Sequence, residues 1–245
     1  MPYLNSAPYF RGLTWEDRFT LVDAVPRELG RLAAAGEVDA GLLPVVDFFK
    51  LNGQFERLNH FGIAVRGRVG SVMLFSRRPL RQLDGARIAV TNESSTSAVL
   101  LRLILEQRDR LSPAGYTRER AAEADALLLI GDEALQFRQT NTLYPFEIDL
   151  AFEWWLWQHL PFTFAVWAIR CGIDEGQRRQ IEAGLARALA VNLQDLGAAA
   201  GERAASLGVP AGELKAYLEN FVYRLGSSEE EGIRKFQELT SGYDV

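Results

Sequence analysis

A chain of 245 residues, 48% hydrophobic and 24% charged, has the composition of an ordinary globular protein and enough length for one large domain or two modest ones. Its net charge of −5, with no Lys/Arg block of five or more, excludes a nucleic-acid partner but not a small anion, because a local field can oppose the net charge. A single cysteine, Cys171, and two distant histidines, His60 and His159, exclude an internal disulfide, a thiolate cluster and ordinary zinc chemistry.

The N-terminal stretch has neither a charged n-region nor a long apolar run. No later segment offers about 18 uninterrupted apolar residues, so a cytoplasmic protein with no membrane partner is expected. Residues 3–10 read as the last turn of a strand running into a loop. Pro26 and Gly36 bracket a helix over 27–35 with Leu29, Leu32 and Ala33 on one face. Val38-Asp-Ala-Gly-Leu-Leu43 predicts a buried strand ended by Pro44, and 45–51 a short helix carrying Phe48 and Phe49 inward. The runs 61–65 and 71–75, separated by the turn signal Arg66-Gly-Arg-Val-Gly70, predict an antiparallel pair of strands. The breaker-rich segment 77–85 is the expected first crossing between lobes.

The next stretch organises the rest. Residues 87–91 predict a short buried strand, and the polar run Asn92-Glu-Ser-Ser-Thr-Ser97 opens into an apolar helix over 98–111. In open α/β sheets ligands lie beyond the carboxyl ends of strands, and a helix N-terminus there presents unpaired N–H groups and a positive dipole end. The hydroxyls of Ser94, Ser95, Thr96 and Ser97 add neutral donors for a carboxylate or phosphate. No Gly-Lys-Ser/Thr follows, which excludes a nucleotide P-loop. An ordinary N-cap needs only one such residue, and both readings of the run stay open.

Residues 126–130 predict an apolar strand ending in Gly131-Asp132, where Asp132 can either bind a substrate hydroxyl or cap the next helix. A short strand over 148–151 leads to a helix over 152–157. Its aromatics, Phe152, Trp154, Trp155 and Trp157, can wall a pocket or fill the core, and core packing is expected for at least two of the Trp. Residues 162–169 predict a long strand that returns to the first lobe, with Cys171 just beyond it as a buried structural thiol. The remainder reads as helical, with Asp174 and Gln177 at one helix start, Pro210 near another, and Ser227/Ser228 with Glu230/Glu231 as a capping box. The expected fold class is α/β with two lobes. Residues 1–77 and 165–245 form the first, 78–164 the inserted second, and the ligand lies in the cleft between them.

Tyr3-Leu-Asn-Ser-Ala-Pro8, Val38-Asp-Ala-Gly-Leu-Leu-Pro44, Ser71-Val-Met-Leu-Phe-Ser76, the 91–97 run, Gly131-Asp132 and Leu160-Pro-Phe-Thr-Phe-Ala-Val-Trp167 together resemble the chorismate dehydratase family, in the same order and over most of the chain. That family serves the futalosine route to menaquinone. The resemblance implies a fold like the type II periplasmic binding proteins, used as a cytoplasmic lyase that removes water from chorismate to give 3-enolpyruvylbenzoate. Aromatisation of the ring drives such a loss, so the protein mainly holds the dianion, excludes water and assists the leaving hydroxyl, with no metal or organic cofactor required.

The resemblance points to Asn5 as the catalytic position. An amide is no ordinary base at neutral pH, so Asn5 is expected to orient the leaving hydroxyl or the substrate, while the substrate's own enolpyruvyl carboxylate takes the ring proton. The alternative for Asn5 is tying down the strand-end loop. The substrate carboxylates are expected on Ser94, Ser95 and Thr96, with Ser6 and Ser71 from the opposite lobe and Gly131 and Asp132 beside them. One rival is the sister enzyme 1,4-dihydroxy-6-naphthoate synthase, for which the resemblance implies a histidine base in the second lobe, where only His159 is found, at the far edge. Others are a solute-binding protein for a small organic anion, or the sensing half of a transcription regulator, for which no helix-turn-helix accompanies the chain. Nothing in the sequence indicates an oligomeric state.

Overall fold

The computed structural model describes residues 3–13, 19–119 and 124–243. A 3₁₀ turn, Leu4–Ser6, and one helical turn, α1 (Ala7–Phe10), replace the strand end expected at 3–10. Pro8 favours this outcome, since its fixed φ suits the first turn of a helix and its missing N–H has no partner to find there. α2 (Pro26–Ala35) starts on Pro26 and stops at Gly36, whose φ of 78° lets its N–H reach Ala33 O while the N–H of Glu37 reaches Leu32 O. β1 (Ala40–Pro44) and α3 (Val45–Lys50) follow as expected. β2 (Phe55–Val65) begins earlier than its apolar run suggested, because its first half is only partly buried and carries polar residues.

The next elements are β3 (Val72–Ser76), β4 (Arg87–Val90) and α4 (Thr96–Arg102), which continues in π-helical geometry over Leu103–Arg108. β5 (Gly115–Thr117), β6 (Ala126–Ile130), α5 (Gly131–Thr140), β7 (Phe146–Asp149), α6 (Leu150–Gln158) and β8 (Phe162–Arg170) complete the middle of the chain. Then come α7 (Glu175–Asn192), α8 (Leu196–Leu207), α9 (Ala211–Glu219), a short strand β9 (Phe221–Arg224) within the region read as all helix, and α10 (Ser227–Thr240).

The strands form two sheets, one four-stranded in the order β1-β8-β2-β9 and one five-stranded in the order β5-β4-β6-β3-β7. Neighbours in the first sheet are antiparallel. In the second, β4 runs parallel to β5 and β6, and β3 antiparallel to β6 and β7. β2 and β3 therefore do not pair with each other, contrary to the expected hairpin. Every residue of β3 is buried, and β6 and β7 flank it on its two sides. The same turn residues that would close a hairpin instead carry the chain from one sheet to the other, so the crossing falls at 66–71 and not at 77–85. Asp149 fastens it: Oδ2 accepts from the N–H groups of Val69 (2.9 Å) and Gly70 (2.8 Å), while Oδ1 accepts from Phe152 N–H (3.1 Å) and caps α6. The return passes through His159, in the left-handed region at φ 55°, between α6 and β8.

Trp154 is fully buried and meets Phe162 and Phe236 edge-on at 5.3 and 5.8 Å, joining α6 to β8 and α10; Trp157 packs against the same core. Cys171 is exposed, contrary to expectation, because β8 ends at Arg170 and the chain turns at Gly172 (φ 85°). Asp174 caps α7 through the N–H groups of Gly176 and Gln177. At α10 the cap falls one residue earlier than expected: Glu229 accepts from Gly226 N–H at 2.8 Å, and it also pairs with Arg66 of the crossing. Among the described residues, no helix is long and apolar enough to cross a membrane.

Candidate functional site

The carboxyl ends of β1, β4 and β6 converge with the last part of β2 and the first half of β8 on one cavity of about 50 Å³ between the two sheets. Its wall combines apolar Pro26, Pro44, Ile63, Val72, Ile130, Phe164 and Ala165 with Tyr3, Asn5, Ser71, Ser94, Thr96, Ser97 and Gly131. Ligand sites typically enclose about 300–1,000 Å³. This cavity is smaller, and the two lobes stand close together around it.

Asn5 sits in the 3₁₀ turn. Its Oδ1 is buried and, among the described residues, has no hydrogen-bond partner, which costs about 1–3 kcal/mol and makes it the cavity's open acceptor. The turn is fixed from outside. Leu4 N–H donates to Asp132 Oδ1 at 2.9 Å and the Tyr3 hydroxyl donates to Glu93, while within the turn Ser6 Oγ donates to Tyr3 O at 2.8 Å. Burial, reinforced by Glu93, pushes the Tyr3 phenol above its ordinary pKa, so it stays a protonated donor.

The hydroxyl run behaves residue by residue. Ser94 Oγ accepts from Ser97 N–H at 3.0 Å, so the plain-cap reading accounts for its lone pair, while its proton is left to donate into the cavity it lines. Thr96 lines the cavity too, and its Oγ1 accepts a long bond, 3.4 Å, from Val46 N–H of α3. Ser95 does not line it: its Oγ donates to Asp47 Oδ2 at 2.5 Å, on the α3 side. Helix α4 begins at Thr96, two residues before the apolar run, because the hydroxyl residues can occupy its first turn. Arg118 braces the loop by donating to Thr91 O (2.7 Å) and Ser94 O (3.4 Å).

Ser71 comes from the same lobe as Ser94, not from the opposite one: it immediately precedes β3 of the second sheet, and its Oγ lies 2.9 Å from the hydroxyl of buried Tyr217, a contact that nothing in the sequence signalled. Gly131 N–H donates to Ser71 O at 2.7 Å. Gly131 has φ 57°, and a Cβ there would lie 2.9 Å from the Tyr3 ring, so glycine is required twice over. Ser6 and Asp132 do not line the cavity. Ser6 is turned into its own loop, and Asp132 is paired with Arg203 of α8 as well as with Leu4. Burial raises the Asp132 carboxyl pKa against the opposing pull of that N–H and guanidinium.

No Lys or Arg is among the cavity-lining residues, so an anion held there would rest on hydroxyl and backbone donors. Among the described residues, no group of three or more His, Cys, Asp or Glu side chains is placed to share a metal ion. A larger hollow of about 390 Å³ lies against β1, but it is walled by Phe10, Leu29, Trp167 and Ile181 and edged by Glu37 and Asp39, which would repel an anion.

Two lobes with a small polar cavity at their junction, lined from both sides, define an α/β protein with a periplasmic-binding-protein-like fold. The profile of the menaquinone biosynthesis family matches residues 1–241, and the chain belongs to that family. It is 35% identical, over 96% of its length and 92% of the relative's, to a Thermus thermophilus protein named chorismate dehydratase. Among solved structures it is similar to a protein of Archaeoglobus fulgidus (TM-score 0.78, 20% identity, 98% of this chain and 94% of that one). It also resembles the periplasmic aliphatic sulphonate binding protein SsuA of Escherichia coli (TM-score 0.60, 16% identity, 89% and 75%). These two likenesses establish the fold.

Proposed function

We propose that this protein removes water from chorismate to give 3-enolpyruvylbenzoate, as a cytoplasmic hydro-lyase of the futalosine route to menaquinone. The observation that carries the reading is the placement of Asn5, Ser71, Ser94 and Thr96 around one inter-lobe cavity in a chain of this family.

Chorismate carries two carboxylates and a ring hydroxyl beside a carbon whose proton is acidified through the diene. The C–H bond at that carbon breaks, its electron pair enters the ring, and the neighbouring C–O bond releases hydroxide, so one water leaves and the ring becomes aromatic. Ser94 and Thr96 offer the hydroxyl donors for a carboxylate, and Ser71, at the start of β3 in the same sheet, adds a third hydroxyl to the cavity wall. Asn5 orients the leaving hydroxyl through its amide, and the substrate's enolpyruvyl carboxylate takes the ring proton. Preorganised neutral donors in a closed cavity need no rearrangement as charge shifts, which is where such sites derive most of their rate. His159 is exposed at the end of α6 and outside the cavity, which weighs against the sister reaction with a histidine base.

The test is incubation of the purified protein with chorismate, followed by chromatography and mass measurement. Enzyme-dependent formation of a species lighter by one water, with the ultraviolet spectrum of a substituted benzoate, is expected. Unchanged chorismate that still raises Tm would make the cleft an anion-binding site without this chemistry.

A further inference from the structure

The three-residue turn that carries Asn5 has little of its own to hold it. Within it, Ser6 N–H reaches Tyr3 O and Ala7 N–H reaches Leu4 O. Two carboxylates of the other lobe fix its direction: Glu93 accepts from the Tyr3 hydroxyl, and Asp132, the second residue of α5, accepts the backbone Leu4 N–H on one oxygen and the Arg203 guanidinium on the other. Leu4 immediately precedes Asn5, so its bond to Asp132 fixes the Tyr3–Leu4 peptide plane, one residue ahead of the Cα from which the Asn5 side chain departs. Asp132 is buried but stays outside the cavity wall. Its pairing with Arg203 also offsets a negative charge that would otherwise oppose a bound dianion.

We infer that Asp132 is a positioning residue, acting on the reaction through Leu4 N–H and Asn5, with Arg203 holding Asp132 in turn. This rests on the dehydratase reading above. A displacement of about 1 Å in a reacting group can cost up to about 100-fold in rate, so the effect belongs in kcat, whereas a residue that touched the substrate carboxylates would move KM.

The experiment compares native protein, Asp132→Ala, Asp132→Asn and Arg203→Ala for kcat and KM on chorismate, with hydrogen exchange at the Leu4 amide measured in each. Asp132→Ala is expected to lower kcat about tenfold or more with KM changed less than about threefold, and to speed exchange at Leu4. Asp132→Asn keeps an oxygen for the Leu4 N–H and should recover most of kcat. Arg203→Ala, altered at a position whose side chain is 40% exposed, should give a smaller kcat loss of the same kind and answers the question if Asp132→Ala does not fold. Unchanged kcat, a loss confined to KM, or failure of Asn to restore what Ala removes would overturn the inference. If native protein leaves chorismate intact, the dehydratase reading fails separately. Leu4 exchange then decides whether Asp132 anchors the turn: faster exchange in the variants supports it and unchanged exchange refutes it.

Discussion

The Tyr3 hydroxyl donates to the Glu93 carboxylate across the cleft, and the ring of the same tyrosine lies flat against the glycine that opens α5. One aromatic side chain thus touches the loops that follow both β4 and β6 while sitting two residues from Asn5. Gly131→Ala tests this contact. The left-handed φ of 57° alone would cost alanine about 1–2 kcal/mol. That corresponds to a fall in Tm of about 2–8 °C, and the new Cβ must also displace the Tyr3 ring. Calorimetry and turnover measured together should show activity lost well beyond what the reduced Tm explains. A variant with native turnover would mean the ring yields without moving the turn.

The hydroxyl run separates into two classes. Ser94→Ala and Thr96→Val remove groups that line the cavity, and each should weaken chorismate binding by about 1.5–3 kcal/mol, the scale of a hydrogen bond to a charged group. That is roughly 10- to 150-fold in KM. Ser95→Ala removes a bond to Asp47 outside the cavity, so it should lower Tm and leave KM nearly as it was. Steady-state kinetics on the three variants would contradict this assignment if Ser95→Ala raised KM as much as the other two.

Asp47 supplies a pH dependence with a definite sign. Burial raises its carboxyl pKa, against the weaker opposing effects of the Ser95 hydroxyl and Lys50. A raised folded-state pKa means its contribution to stability is complete below the unfolded value, about 3.9, and declines as pH climbs through the folded one. Asn imitates the protonated acid at every pH, so Asp47→Asn should gain in stability relative to native protein as pH rises from about 4 to 7. Paired melting curves across that range give the result, and a gap moving the other way would show that the hydroxyl and Lys50 dominate.

Asp149 binds three backbone N–H groups at once, those of Val69, Gly70 and Phe152. Asp149→Ala leaves two N–H groups of the inter-sheet crossing and one of the α6 cap without an acceptor, a loss of about 2–4 kcal/mol, or about 5–15 °C in Tm. Thermal denaturation should place it among the most damaging changes that do not touch the cavity. A drop of only a degree or two would mean that the crossing is held by other contacts.

Much of this arrangement was legible in the residues themselves. The apolar run 126–130 and the Pro26/Gly36 bracket predicted β6 and α2 to within a residue, because continuous burial and terminal punctuation are local signals. Cavity residues that follow strand ends, Ser94, Thr96 and Gly131, were legible for the same reason, whereas Ser95 is separated from them only by the direction of one side chain. Pairings between distant segments were not readable: Arg66-Gly-Arg-Val-Gly70 makes an equally good hairpin or crossing until β6 and β7 are known to flank β3. The sequence keeps two roles open for Asp132 because its partners, Leu4 and Arg203, lie 128 and 71 positions away. Tyr217 carried no signal, since a tyrosine inside an amphipathic helix looks the same whether or not its hydroxyl meets Ser71.

The strand order also sets a schedule for synthesis. In the first sheet β8 lies between β1 and β2, and β9 closes the edge of β2, so strands emerging early from the ribosome wait for partners made much later, Val65 of β2 for Phe162 of β8 at the nearest. The second sheet draws all its strands from one continuous stretch, β3 to β7, and can pair fully before β8 exists. Contacts close in sequence form first. The inserted lobe is therefore expected to be the first stable unit on the nascent chain, and the surface that receives the Asn5 turn is in place before the remainder of the first lobe can close around it.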